Sequence, residues 1–127
     1  MLVRLLPVLL ALAVVVAPGA SADRPPVSST CTLAAAGPFF YAGDVFPDAS
    51  VRCDTPQRRL RIDAVLTRDG VAVASASRSC RNASTCIISV DASAPDLPGD
   101  QTWCVSTSGS VSSTPLGTAE SCESKDF

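Results

Sequence analysis

The stretch Arg59-Leu60-Arg61-Ile62-Asp63-Ala64-Val65-Leu66-Thr67-Arg68-Asp69-Gly70-Val71-Ala72-Val73-Ala74-Ser75-Ala76-Ser77-Arg78-Ser79 decides how the chain is read. Leu60, Ile62, Ala64 and Leu66 alternate with Arg59, Arg61, Asp63 and Thr67, the period-two pattern of a half-buried strand. Arg68-Asp69-Gly70 is turn chemistry, and Ala72, Ala74 and Ala76 alternate on the way back, so the stretch reads as a β-hairpin. A two-residue Asp69-Gly70 loop sets Arg61 opposite Arg78 and places Leu60, Ile62 and Ala64 against serines. A three-residue loop with Gly70 in a left-handed bulge pairs Leu66 with Ala72, Ala64 with Ala74 and Ile62 with Ala76. It also opposes Arg61 to Ser77, avoiding a like-charge pair. The second register is the expected one.

Outward from the hairpin the chain stays strand-like. Thr30 to Ala34 is a short first strand, Gly37-Pro38 punctuates it, and Phe39-Phe40-Tyr41 precedes a Gly43-Asp44 turn. Val45-Phe46 ends at Pro47, and Ala49 to Asp54 forms a strand that Thr55-Pro56 breaks. Cys80 to Cys86 encloses Arg81-Asn82-Ala83-Ser84-Thr85, which reads as a turn. Cys86, Ile88 and Val90 alternate in the next strand. Ala92 to Asp100, with Pro95, Pro98 and Gly99, is a loop, and Gln101 to Thr107 is a strand with Trp103 and Val105 on one side. Ser108 to Gly117 is polar, and Thr118 to Cys122 forms a last edge strand. No sustained helical period occurs. Six to eight short strands imply an all-β fold, an antiparallel immunoglobulin-like β-sandwich, with a small β-barrel as the alternative. Trp103 beside Cys104, and Thr102 where a corner tyrosine would stand, depart from the immunoglobulin pattern in detail.

The arrangement Leu66-Thr67-Arg68-Asp69-Gly70, Val73-Ala74-Ser75, Cys80-Arg81-Asn82-Ala83-Ser84-Thr85-Cys86 and Gln101-Thr102-Trp103-Cys104-Val105 resembles small secreted proteins of actinobacteria. The resemblance covers most of the mature chain. It implies an exported β-fold with paired cysteines and carries over no catalytic or binding residue.

The ends bear on location. Arg4, the apolar run Leu5 to Val16 and Ala20-Ser21-Ala22 form a secretory signal peptide over residues 1–22. The run is shorter than the roughly 20 apolar residues of a membrane span. The mature chain is then one domain, residues 23–127, secreted and extracellular, with a flexible arm over 23–29 and no membrane span. The full chain has 10 basic and 12 acidic side chains, net −2, and loss of Arg4 makes it more negative. Nucleic acid is therefore not an expected partner. The expected state is a monomer.

All six cysteines follow the signal, which implies an oxidising compartment and three disulfides. There is no C-x-x-C and no histidine, so a zinc site is not expected. The immunoglobulin analogy would join Cys53 to Cys104 and leave Cys31 for Cys122. Strand parity argues otherwise. Cys53 shares a face with Val51 and Cys31 with Leu33, whereas Cys104 stands opposite in sense to Trp103 and Val105. Burying Cys104 would expose the largest apolar side chain. The expected pairs are Cys31–Cys53, Cys80–Cys86 and Cys104–Cys122, unless a bulge near Cys104 shifts the parity.

Chemistry is sparse. Without histidine no Ser-His-Asp or Cys-His device forms, and the only lysine, Lys125, falls in the C-terminal tail. Asp44, Asp48, Asp54, Asp63, Asp91, Asp96 and Asp100 leave a carboxylate hydrolase as the alternative to a non-catalytic module. Neither Asp44/Asp48 nor Asp91/Asp96/Asp100 has calcium-loop spacing, and no metal or cofactor is expected. Two stretches are candidate binding surfaces. Phe39, Phe40 and Tyr41 must either tuck under the fold or present an aromatic patch. Arg59 and Arg61 share a strand face with Asp63, either a solvated face or a fork for carboxylate or phosphate. The expected function is extracellular binding or inhibition of an unidentified macromolecule.

Overall fold

A computed structural model describes residues 30–127. The signal peptide expected over 1–22 and the arm over 23–29 lie outside the described residues. The elements are β1 (Cys31–Tyr41), β2 (Asp44–Arg68), β3 (Val71–Ile88), β4 (Ala94–Pro95), β5 (Gln101–Val111) and β6 (Thr114–Lys125). All pairings are antiparallel. The described residues are thus all-β, as their alternating pattern implies.

β2 organises the sheet. Its first half pairs with β1 from Tyr41↔Asp44 to Cys31↔Cys53, and its second half pairs with β5 from Leu60↔Val111 to Arg68↔Trp103. β3 runs along the other edge through both halves, and β4 adds a two-residue bridge at Asp44 and Val45. β6 completes the order β1-β2-β5-β6. Between Arg52 and Gln57 the register with β3 shifts, so Cys53 to Pro56 bulge out of the ladder. That bulge lets a proline sit inside a long strand, since Pro56 owes no ladder hydrogen bond there. The Thr55-Pro56 break expected from sequence is therefore a bulge. The curled sheet forms a half-barrel in which β1 lies against β5 and β6.

The hairpin differs from the expected register. Arg68 pairs with Val71, so the loop has two residues, and Asp69 (φ 49°) and Gly70 (φ 80°) both lie in the left-handed region. This backbone matches the strands' right-handed twist. A shift after Thr67↔Ala72 then inserts Val73 as an extra β3 residue, giving Leu66↔Ala74, Ala64↔Ala76 and Asp63↔Ser77. The bulge therefore comes one step later than expected, and it still keeps Arg61 from Arg78, opposing it to Ser79. Ala42-Gly43 and Ser112-Ser113 close the β1–β2 and β5–β6 hairpins with the same pair of positive φ values. Each lies between directly paired residues, Tyr41↔Asp44 and Val111↔Thr114.

Other boundaries move for the same reason: ladder partners extend what local punctuation would end. Cys80 to Cys86 lies inside β3, with Asn82 at φ 49°, and is no connecting turn. β3 ends at Ile88, and Val90 beyond it is exposed. Ser108 to Gly117 contributes to β5 and β6, and β6 continues to Lys125, so that lysine is on a strand.

The core is Val45, Ala49, Val51, Leu60, Ile62, Ala64, Leu66, Cys86, Ile88, Ala94, Trp103 and Val105. It takes the apolar member of each alternation in β2 and β5. Disulfides join Cys31–Cys53, Cys80–Cys86 and Cys104–Cys122, and no described cysteine is free. Trp103 and Val105 are buried while Cys104 between them faces out to Cys122, which is its direct cross-strand partner. The two halves of the curled sheet meet at Gly109. A Cβ there would lie 3.0 Å from Val51 Cγ2, 3.1 Å from the Arg61 carbonyl oxygen and 3.2 Å from Leu33 Cδ1. Gly109→Ala is expected to cost about 1–3 kcal/mol by overpacking. Urea unfolding measures it; an unchanged midpoint would mean that the halves do not press together at this residue.

Candidate functional site: an aromatic end and an arginine end

β1 and β6 run from one end of the sheet to the other, and each end carries a cleft. At the first, the aromatic stretch of β1 divides. Phe39 is half-buried and stacks on Phe46 with ring centroids 5.2 Å apart. Phe40 is 43% exposed and stacks on Phe127 at 5.8 Å, and Tyr41 is 71% exposed. Phe127 in turn meets the edge of the buried Trp103 at 6.4 Å, and Lys125 Nζ lies 5.2 Å from the Phe127 ring centroid. Phe127 is thereby packed against the domain. Pro38, Phe39, Phe40, Glu123, Lys125, Asp126 and Phe127 line a cleft of about 440 Å³.

A bulge produces this division. Ala36↔Asp48 is followed by Phe39↔Phe46, so Gly37-Pro38 opposes the single residue Pro47. The extra residue re-aims everything after it. Pro38 is turned inward, and Phe40 and Tyr41 are carried to the surface.

At the other end Arg59 and Arg61 part company. Arg61 Nε donates to Asp63 Oδ2 at 3.2 Å, and Nη2 donates to Oδ1 at 3.1 Å. Ser77 Oγ also donates to Asp63 Oδ1. Hydrogen bonds from Arg61 and Ser77 hold the Asp63 carboxyl below the usual carboxylate range, and the same contact raises the Arg61 guanidinium. Arg61 is thus committed to its own strand.

Arg59 instead lies directly opposite Arg81 of β3. Like charges directly opposed across a ladder are destabilising. Arg58, Arg59, Arg81, Asn82, Ser112 and Ser113 line an open cleft of about 510 Å³ with no carboxylate in its wall. Ser112 N–H donates to the Arg59 carbonyl at 2.9 Å, seating the β5–β6 turn beside the arginines. The Cys80–Cys86 bond fixes β3 on either side of Arg81 and Asn82. Among the described residues the ion pairs are Arg61–Asp63 and Lys125–Glu123, so none involves the three cleft arginines. Arg59 was legible as a candidate, but Arg81 becomes its neighbour only through the register.

Three aspartates accept hydrogen bonds within the fold, and the β2–β4 bridge sets Asp44 opposite Pro95, next to Asp96. Asp91 Oδ2 accepts from Ser89 N–H, Asp69 Oδ1 from Thr102 N–H, and Asp63 serves Arg61. A third cleft, about 200 Å³, is lined by Asp63, Val65, Ser106, Thr107, Ser108 and Thr118 and holds a single carboxylate. Cys104, Glu120 and Cys122 have ligand-type atoms within 4.8 Å of one another, but the two sulfurs are bonded together. No helix among the described residues is long and apolar enough to cross a membrane. No protein-family model, curated protein or solved structure matches the chain.

Proposed function

We propose that the protein is a secreted, non-catalytic binding or inhibitory module on an immunoglobulin-like β scaffold, engaging an extracellular macromolecule through its aromatic end. The observation that carries this reading is the exposure of Tyr41 and Phe40 beside the Phe127 cleft, at the end of β1. Exposed Tyr and Phe on a preorganised frame bring large contact area at small entropic cost. Three disulfides in a small domain suit an oxidising, extracellular setting.

Tyr41→Ala is expected to weaken binding by about 2 kcal/mol, the loss typical of an aromatic hot spot, without altering the melting temperature. Co-sedimentation with insoluble polysaccharides and capture from spent culture medium measure the first effect, and thermal unfolding measures the second. Unchanged binding to every captured partner would remove the aromatic end from the interface. A second reading, a hydrolase using two carboxylates, draws on Glu123 and Asp126, which line that same cleft. Hydrolysis of a polysaccharide that disappears in Glu123→Gln would favour it over binding alone.

A further inference from the structure

We propose that the cleft of Arg58, Arg59 and Arg81 is a binding site for tetrahedral oxyanions, phosphate or sulfate groups carried on a ligand of about sugar size. This inference is independent of the aromatic end. It starts from a charge arrangement that folding alone disfavours. The chain is net acidic, yet three guanidinium groups gather at one cleft, two of them directly opposed across the β2–β3 ladder. Arginine stays charged at any physiological pH, so the repulsion is not relieved by losing a proton. It is not relieved by an ion pair among the described residues either.

The contrast with Arg61 is informative. Two residues away on the same strand, the sequence supplies Asp63 as a neutralising partner. At Arg59 it supplies a second arginine, and covalent and hydrogen-bonded supports hold the arrangement: the Cys80–Cys86 bond and the Ser112-to-Arg59 hydrogen bond. A ligand bearing negative charge would complete the site that the chain leaves uncompensated. Guanidinium forks match the oxygen spacing of phosphate and sulfate and bind them through paired, charge-assisted hydrogen bonds. Asn82, Ser112 and Ser113 add neutral donors and acceptors suited to hydroxyl groups on the rest of the ligand. The volume, about 510 Å³, accommodates more than a single inorganic ion.

The test uses the disulfide-intact protein at low ionic strength, titrated calorimetrically and by amide NMR with sodium pyrophosphate, sucrose octasulfate and citrate. Saturable binding of pyrophosphate or the octasulfate is expected, with shifts at Arg59, Arg81, Asn82, Ser112 and Ser113. Affinity should fall as salt screens the charges. The first two probes distinguish phosphate from sulfate as the preferred group, and tighter binding of citrate than of both would overturn the tetrahedral assignment. Arg59→Ala and Arg81→Ala should each weaken binding about tenfold, the loss of one charge-assisted hydrogen bond. Arg52→Ala, exposed on β2 outside the cleft, should leave it unchanged. Arg81→Gln should bind weakly while melting at the same temperature as the parent or higher, because it removes the opposed charge. Absence of saturable binding by either oxyanion, or binding equal in the parent and in Arg59→Ala and Arg81→Ala, would overturn the proposal.

Discussion

Trp103→Ala should destabilise the domain by about 3–5 kcal/mol, the range for deleting a buried tryptophan. Trp103 is the largest of the fully buried side chains. Arg68 covers its ring with the guanidinium carbon 5.7 Å from the centroid, and Phe127 closes its edge. Domains of this size have about 5–15 kcal/mol in all, so a large share would go with one side chain. Packing, and not the indole N–H, is responsible, because Nε1 is buried without a hydrogen-bond partner. Trp103→Phe should therefore retain most of the lost stability. Equilibrium unfolding in urea measures both variants, and equal losses in the two would contradict this account.

Removing the three disulfides together has a larger effect still. Cys31–Cys53 spans 22 residues and Cys104–Cys122 spans 18, so the chain-entropy estimate gives each about 3 kcal/mol. Cys80–Cys86, separated by 6, gives about 2 kcal/mol before the burial of Cys86 is counted. Full reduction should consequently unfold the domain at room temperature. Circular dichroism with and without reductant reads this, and paired Cys→Ala variants read the bonds one at a time. A reduced protein with an unchanged spectrum and melting curve would show that the strand ladder suffices alone.

The parts of the fold legible in the sequence are those set by neighbours along the chain. The alternation of Leu60, Ile62, Ala64 and Leu66 marked the inner face of β2, and Trp103 and Val105 fixed the outward sense of Cys104. Asp69-Gly70 marked a turn because Gly tolerates positive φ without penalty. What escaped depends on partners distant in sequence. Pro56 and Pro38 looked like strand breakers, and only a ladder on the opposite edge or a bulge makes them compatible with a continuous strand. The Val73 bulge, which decides that Arg59 faces Arg81, has no local marker in an Ala/Val/Ser run.

The candidate site divides in the same way. Phe40, Tyr41 and Arg59 could be selected by residue type alone. Their surroundings could not. Phe127 appeared as the end of a tail, and its place against Trp103 and Phe40 follows from β6 pairing all the way to Lys125. Arg61 looked equivalent to Arg59, and the side-chain contact with Asp63 separates them.

The position of β2 between partners near and far along the chain also sets the order in which the molecule can assemble. β1 and β3 are its immediate neighbours in sequence, so both hairpins can close as soon as Ile88 has been made or delivered. The Leu60–Arg68 edge has to wait for β5, whose residues 103–111 come much later. During that interval every second residue of 60–68 has its backbone amide and carbonyl on an edge not yet paired, beside Leu60, Ile62 and Leu66, and such an open edge can template pairing with another copy. In a chain that emerges from its first residue, this edge has no partner of its own between the completion of Ile88 and the arrival of Val111 at Leu60.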